Sequence, residues 1–340
     1  MELASEGLGC TAPNPMVGSV IVCNNQIIGE GYHHKCGQAH AEVNAIASVK
    51  DKSLLKQSTL YVSLEPCSHF GKTPPCSDLI IKMGIPKVIV STIDPNPQVS
   101  GKGIEKLRLA GIEVITDILS SEGEELNKRF FTYQRKSRPY IILKWAQTLD
   151  GFIDVVRNPA VPQKPNWITN QYARMLVHKW RAEEQAVMVG TNTAFIDNPK
   201  LNVRDWAGES PLRVVIDRTL RLPSHLDLLN GSLPTLVFTE KKVKNIDNPN
   251  LIYCPIAFNE HLPKNITDQL FRRNIQSVLI EGGSKLLQSF INAGLWDEAR
   301  VFTGNKYFIN GVSAPKIEVP HISTENWSDF VLYIYRNTSI

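Results

Sequence analysis

Short runs of β-branched and aliphatic residues alternate along the chain with stretches in which apolar positions recur every three or four residues. That change of period predicts strands alternating with helices, and so an α/β protein with largely parallel strands. "GSVIVCNNQIIGEG" reads as a hairpin turning at Asn24-Asn25, because paired Asn residues tolerate the left-handed backbone of a two-residue turn. "AEVNAIASVK" reads as a helix, "TLYVSLEP" as a strand, "CSDLIIKMG" as a helix stopped by Gly84, "KVIVSTID" as a strand and "GIEKLRLAG" as a helix. "EGEELNKRFFTYQ" predicts one further helix with an apolar stripe. The charge-rich break "RKSRP" precedes the strand "YIILKWA", after which "AVMVG", "LRVVID", "PTLVFT" and "SVLIEGG" read as strands. A boundary near residue 138 gives domains 1–138 and 139–340, each long enough to bury its own core.

Composition changes this picture little: the 340 residues are 42% apolar and 21% charged, without repeats or low-complexity tracts. A net charge of +4 is too small to announce a nucleic-acid or membrane partner, although it suits a small anionic substrate. No segment approaches the unbroken apolar run that spans a bilayer, and "MELASEGLGC" lacks a basic region followed by an apolar core, so a cytoplasmic protein is expected. Six cysteines are too few for a disulfide scaffold, and their spacing reads as metal chemistry instead. Cys10, Cys23 and Cys254 lie in or near apolar stretches and are expected to be buried fillers, with Cys36 a passive neighbour.

The chemistry concentrates in "GQAHAEVNAI" and "EPCSHFGKTPPC". His40 followed by Glu42 at a helix start could be a solvated first turn, since acids are favoured there. Cys67 and Cys76, each preceding or opening a helical pattern, change the balance: helix N-termini favour the thiolate, the form that binds zinc. One imidazole and two thiolates make three protein ligands and leave the fourth zinc position open to water. Such zinc lowers the pKa of water from 15.7 to roughly 7, which makes hydroxide available at neutral pH. Hydroxide alone cannot expel an amine, so a carboxylate off the metal must shuttle protons, and Glu42 is the candidate. The alternative is a closed structural site with His33, His34, Cys36 or His69 as fourth ligand.

His-Ala-Glu followed by Pro-Cys and a second Cys resembles the zinc-dependent nucleobase deaminases. The eight residues between the cysteines, "TAPNPMVG" at 11–18, "GEGYHHKCGQAHAE" at 29–42 and "DPNPQVSGKG" at 94–103 resemble the bifunctional deaminase-reductase of riboflavin biosynthesis. In the second half, "KWAQTLDG", "NWIT", "GTNTAFIDNPKLNVR" and "LIEGGSKLL" carry the same resemblance, which covers nearly the whole chain. It implies an N-terminal cytidine-deaminase-like α/β/α sandwich and a C-terminal dihydrofolate-reductase-like α/β domain. The implied reactions are zinc-dependent deamination of 2,5-diamino-6-ribosylamino-4(3H)-pyrimidinone 5′-phosphate, then NADPH reduction of the ribosyl group to ribityl.

By position, the resemblance assigns Asn14, His33, Lys72, Asp94 and Asn96 to the deaminase substrate, although proline neighbours give Asn14, Asp94 and Asn96 a turn-forming alternative. It assigns Lys144, Arg181, Leu201, Arg204 and Glu281 to the reductase substrate. Gln147, Trp167, Thr193, Asp197, Gly282 and Gly283 fall to NADPH. Core packing is the competing reading for Trp167 and Leu201, a solvated helix face for Arg181 and a loop ion pair for Arg204. The partner is a small phosphorylated pyrimidine, with no nucleic acid or membrane, and a homo-oligomer is expected. Two departures stand out: "TLDGFID" replaces a Ser-Leu-Asp-Gly-Lys-x-Ala run, and the segment before "TAPNP" is short. Strand parity sets Asp154 on the side expected for Asp150, facing the pocket, where it would repel a phosphorylated substrate. A second reading is a zinc deaminase of another base or nucleotide whose C-terminal half only binds ligand.

Overall fold

A computed structural model describes residues 1–70, 74–96, 99–157, 166–243 and 248–338. Internal contacts divide the chain into Met1–Ser137 and Arg138–Ile340.

The first unit contains α1 (Glu2–Ser5), β1 (Gly18–Cys23), β2 (Gln26–Tyr32), α2 (Ala41–Ser48), a 3-10 turn (Lys52–Gln57), β3 (Thr59–Leu64), α3 (Cys76–Met83), β4 (Lys87–Thr92), α4 (Lys102–Leu109), β5 (Glu113–Ile115), α5 (Ser120–Leu126) and α6 (Lys128–Lys136). Its sheet runs β2-β1-β3-β4-β5, with β1 antiparallel to both neighbours and β3, β4 and β5 parallel. The hairpin turns at Asn24 and Asn25, whose φ of 50° and 58° are the left-handed values that such a turn requires. Leu60, Val62, Val88 and Val90 pack with Ala45, Ile46, Ile80, Ile104 and Leu107 from α2, α3 and α4. At the alternate β4 position, the Ser91 hydroxyl donates to Leu119 O (2.9 Å), so α5 lies over the opposite face.

Gly31 explains part of the "GEG" motif. A Cβ there would lie 2.5 Å from Ala45 N, so only glycine lets α2, which begins beside His40, pack this closely on β2. The helix expected over "EGEELNKRFFTYQ" is in fact two, broken at Asn127. The Asn127 side chain accepts from Met16 N and donates to Met16 O, both at 2.8 Å and buried, pairing with that backbone as another peptide would. This pairing, made across 111 residues of sequence, holds Asn127 where α5 ends and α6 begins. Cys23 and Cys254 are buried as expected, whereas Cys10 is exposed because the turn after α1 faces solvent.

The second unit contains β6 (Tyr140–Thr148), β7 (Phe152–Asp154), α7 (Gln171–Glu183), β8 (Ala186–Val189), α8 (Thr191–Asp197), β9 (Leu212–Ile216), β10 (Thr235–Thr239), β11 (Leu251–Pro255), α9 (Leu262–Phe271), β12 (Ser277–Ile280), α10 (Ser284–Asn292), β13 (Glu298–Gly304), β14 (Val312–Ser313), β15 (His321–Asn326) and β16 (Phe330–Arg336). Nine strands form one sheet in the order β11-β10-β9-β8-β12-β6-β13-β16-β15, parallel from β11 to β13 and antiparallel through β16 and β15. Side-chain alternation divides the core. Ile141, Leu143, Val278 and Ile280 pack with Ile266, Leu270, Leu287 and Phe290 of α9 and α10. Ile142, Leu279 and Phe302 pack with Ala173, Val177 and Trp180 of α7. Burial on both faces is why these strands read as continuous apolar runs.

Replacing Asn127 by Ala leaves Met16 N–H and C=O buried without their side-chain partner. Denaturant unfolding should show a loss of about 1–3 kcal/mol, and unchanged stability would show that the break between α5 and α6 does not depend on this amide.

Candidate active sites

His40 is the residue before α2 and Cys76 the first residue of α3, while Cys67 follows the end of β3. Their donor atoms lie within 4.8 Å of one another. His40 Nδ1 is 3.6 Å from Cys67 Sγ and 3.3 Å from Cys76 Sγ. Zinc bonds of about 2.3 Å to sulfur and about 2.0 Å to nitrogen, arranged tetrahedrally, set N to S separations of about 3.5 Å, so the donor set fits zinc. Among the described residues no fourth His, Cys, Asp or Glu joins these three. The backbone N–H of Cys76, at the start of α3, points at Cys67 Sγ (3.3 Å). Hydrogen bonding from Cys76 and the imidazole holds the Cys67 thiol down to about 4, and the same sulfur pairing pushes the Cys76 thiol up. The Cys67 contact also raises the His40 imidazole, against burial.

Glu42 is 3% exposed and adjoins these groups without being one of the three donors. Burial, then the neighbouring Cys67, pushes its carboxyl up to about 7. His33 meets the His40 ring edge-on at 5.4 Å, with Nδ1 at Ala39 O (3.1 Å) and Nε2 at Asn14 Nδ2 (3.1 Å). Both ring nitrogens are therefore occupied, and Asn14 is drawn to the site through His33. His34 stacks on Tyr32 instead, and Cys36 Sγ approaches Asn14 Oδ1 at 3.8 Å. Asp94 is buried and its carboxyl is pushed up to about 6, chiefly by burial, against the hydrogen bond from Asn96 N (2.8 Å). That bond is the turn chemistry its proline neighbours allow. Lys72 lies outside the described residues.

Glu65, which the sequence pattern did not single out, organises this loop. Its carboxylate accepts from Gly101 N and Gly103 N (both 2.9 Å) and, at longer range, from Asp94 N (3.3 Å) and Ile104 N (3.4 Å). A Cβ on Gly103 would overlap Pro66 O, so glycine is required where the loop passes the Pro66-Cys67 turn. The available signal was a carboxylate at the end of an apolar strand, a group that must find partners once buried.

In the second unit a cavity of about 1170 Å³ opens at the C-terminal ends of the parallel strands. Lys144, Arg181, Leu201, Arg204 and Glu281 line it. So do Trp167, Thr193, Asp197, Gly282 and Gly283. Gln147 is the exception: its Oε1 accepts the Trp145 indole N–H (2.8 Å), and it is absent from the cavity wall. Gly190 N donates to Gly282 O (2.8 Å), joining the turns that open α8 and α10. A Cβ on Gly283 would lie 3.0 Å from Thr193 Oγ1, so glycine keeps this approach to the α10 N-terminus open.

Glu281 is clamped by Arg181 through Nε–Oε1 (2.6 Å) and Nη2–Oε2 (2.8 Å), with Lys144 Nζ 3.6 Å from Oε2. Burial alone would raise this carboxyl, but Arg181 and Lys144 hold it down to about 2. The Lys144 ammonium is lowered by burial, which Glu281 partly offsets. Arg181 is thus not a solvated helix face: three of its five N–H groups are bonded to Glu281 and to Asn202 O (3.1 Å), and its side chain lines the cavity. His178, another residue the sequence did not flag, accepts Arg204 N at Nδ1 (3.2 Å) and faces Asp205 with Nε2 (3.3 Å). Burial, then Arg181 and Arg204, hold its imidazole down to about 4, so it stays neutral and anchors the Arg204 backbone.

The "TLDGFID" segment departs from the strand-parity expectation. Asp150 turns away, accepting from Thr148 Oγ1 (2.5 Å) and Ile309 N (2.7 Å), because Gly151, with φ of 80°, ends the alternation there. Asp154 does line the cavity, but its carboxylate is paired with Arg157 (2.6 Å) and accepts Asn166 Nδ2 (2.9 Å), so it does not stand as a lone charge.

A three-donor metal site beside a buried acid in one unit, and a glycine-edged cavity at the C-terminal ends of parallel strands in the other, are the marks of a two-domain enzyme with two separate sites. The cytidine and deoxycytidylate deaminase zinc-binding region matches residues 1–92, and the RibD C-terminal domain matches residues 139–308. The riboflavin biosynthesis protein RibD of Aquifex aeolicus is 43% identical over 319 residues, covering 92% of this chain and 87% of that protein. That of Bacillus amyloliquefaciens is 40% identical over 340 residues, covering 95% and 89%. The crystal structure of a diaminohydroxyphosphoribosylaminopyrimidine deaminase/5-amino-6-(5-phosphoribosylamino)uracil reductase from Thermotoga maritima superposes with a TM-score of 0.87 at 38% identity, covering 99% of this chain and 96% of that one. The chain belongs to the RibD family of riboflavin biosynthesis enzymes, with a cytidine-deaminase-like first domain and a dihydrofolate-reductase-like second domain. A C-terminal half that only binds ligand gives way to a reductase domain. Among the described residues no helix is long and apolar enough to cross a membrane.

Two measurements follow from the two sites. Purified protein should carry about one zinc per chain; Cys76→Ser should lose it while Cys254→Ser keeps it, and equal zinc in both variants would refute the assigned ligands. For Glu281, the folded-state pKa lies below the unfolded value, so its contribution is present above the ordinary carboxylate range and is lost as pH falls toward about 2. The stability gap between wild type and Glu281→Gln should shrink by on the order of 3 kcal/mol between pH 6 and pH 2; a constant gap would contradict the ion-pair assignment.

Proposed function

We propose that the first domain deaminates a diaminopyrimidine bearing a ribosyl 5-phosphate and that the second reduces the ribosyl group of the product to a ribityl chain with NADPH. The observation that carries this reading is the acid set beside a three-donor metal site but outside the donor set. Zinc held by His40, Cys67 and Cys76 would supply the Lewis acidity that makes water nucleophilic at neutral pH. Replacing C–NH2 by C=O consumes one water and releases one ammonia. Both protons of that water must therefore be moved, the first from water to the ring nitrogen and the second from the resulting hydroxyl to the departing amine, and one carboxyl can carry them in turn. A carboxyl near 7 can do both at neutral pH, and Glu42 is the group so placed. Asn14, His33, Asp94 and Asn96 are assigned to the heterocycle, since their amides, imidazole and carboxyl offer both donors and acceptors to its edge. Lys72 is assigned to the polar tail as a point charge.

In the second domain NADPH would supply the hydride. Trp167, Thr193, Asp197, Gly282 and Gly283 are assigned to its binding, favoured by the open approach to the α10 N-terminus, where backbone N–H groups suit a phosphate. Gln147 is left out of this set. Lys144, Leu201 and Arg204 are assigned to the substrate, with Arg181 and Glu281 holding the buried charges in place. The reading includes a homo-oligomer, favoured by the exposed edge strand β15, and a cytoplasmic location.

Glu42→Gln separates the parts of this assignment. Ammonia release should fall by at least about a hundredfold, while zinc content and NADPH-dependent reduction of the deaminated substrate stay unchanged. Retained ammonia release would remove Glu42 from the chemistry, and loss of zinc would make it a metal-site residue instead.

A further inference from the structure

The cavity of the second domain holds an ion triad where the family resemblance breaks down. Asp154 Oδ2 lies 2.6 Å from Arg157 Nε, and Asp154 Oδ1 accepts Arg157 Nη2 (3.1 Å), Asn166 Nδ2 (2.9 Å) and Val155 N (2.9 Å). The same guanidinium reaches across to Asp197, with Nη2 3.2 Å from Oδ1. All three side chains line the cavity, and that of Arg157 is only 8% exposed. Taken by themselves, these two carboxylates and one guanidinium sum to one negative charge, and without Arg157 the two carboxylates would sum to two.

We propose that Arg157 is a positioning residue of the reductase cavity, neutralising Asp154 and holding Asp197 in place so that a polyanionic nucleotide can bind beside two carboxylates. This rests on the reading that the cavity takes NADPH with Asp197 among its contacts. The physical case is a charge balance. Phosphates entering the cavity meet an unfavourable field from each uncompensated carboxylate, and a low-dielectric wall strengthens it. A guanidinium suits the bridge, because its planar fork can serve Asp154 through two nitrogens while one of these also faces Asp197. The partner is local in sequence, since Arg157 lies three residues after Asp154.

The test is direct nucleotide binding, by NADPH fluorescence on titration into full-length zinc-loaded protein, with no turnover involved. Arg157→Ala should weaken NADPH binding by about tenfold at low salt, the size of one charge interaction near a protein surface, and the deficit should shrink as KCl is raised. Adding Asp154→Asn to Arg157→Ala should recover most of the loss, since it restores the charge balance and keeps an oxygen for Val155 N and Asn166. A purely structural Arg157 would show no such rescue. Should Arg157→Ala not fold, Arg157→Gln compared with Arg157→Lys carries the same contrast, with Lys, which keeps the charge but not the fork, expected to bind NADPH more tightly than Gln. Wild-type affinity in the charge-removing variant, or a double variant that binds no better than the single, overturns the inference alone. Absence of NADPH binding by the wild-type protein overturns the cofactor reading and the inference with it.

Discussion

A carboxylate taken out of water has to be answered by a fixed cation or by several N–H donors, or else it gives up its charge. Three buried glutamates of this chain meet that requirement in three ways. Glu281 is answered twice over, by Arg181 and Lys144, and stays ionised to about pH 2. Glu65 is answered by backbone alone, through the N–H groups of Gly101, Gly103, Asp94 and Ile104. Glu42 has neither clamp, and burial pushes it to about 7. Identical side chains thereby become an electrostatic brace, a loop anchor and a carboxyl held near 7 beside the metal donors, each set by its surroundings.

The geometry of both sites follows from where the chain leaves a parallel strand. Cys67 lies just beyond β3 and Cys76 opens α3; Gly190 follows β8 and opens α8; Gly282 and Gly283 follow β12 and open α10. Strand ends of this kind gather loops and helix N-termini on one edge of a sheet, where backbone N–H groups face whatever binds. Glycine controls how closely these pieces approach. Gly31 lets α2 settle on β2, Gly103 lets the Asp94 loop pass Pro66, and Gly283 leaves room beside Thr193. In each case a glycine lets a neighbouring element that carries candidate site residues approach closely.

The elements and the chemistry with local spacing were legible in the chain itself. Apolar runs and helical periods located most strands and helices because burial on one face or two imposes those periods directly. His40, Glu42, Cys67 and Cys76 could be picked out because their residue types and helix-start positions already restrict what they can do. Weak or polar segments escaped: β15 is exposed throughout and carries no apolar alternation, and the break at Asn127 depends on Met16, 111 residues away.

What the sequence by itself determined is therefore the α/β rhythm, the family resemblance and a metal-ligand set, each of which rests on short-range pattern. The tertiary structure decided which charges are free. Asp150 was expected to face the cavity and instead caps a loop 159 residues further on, whereas Asp154 reaches the cavity and is paired there with Arg157. Gln147 Oε1 accepts from Trp145, His178 anchors Arg204, and Arg181 is paired with Glu281, 100 residues away. The physical reason is common to all of them. A polar side chain acts through its partners, and in a buried site those partners come from distant segments that only packing brings within hydrogen-bond reach.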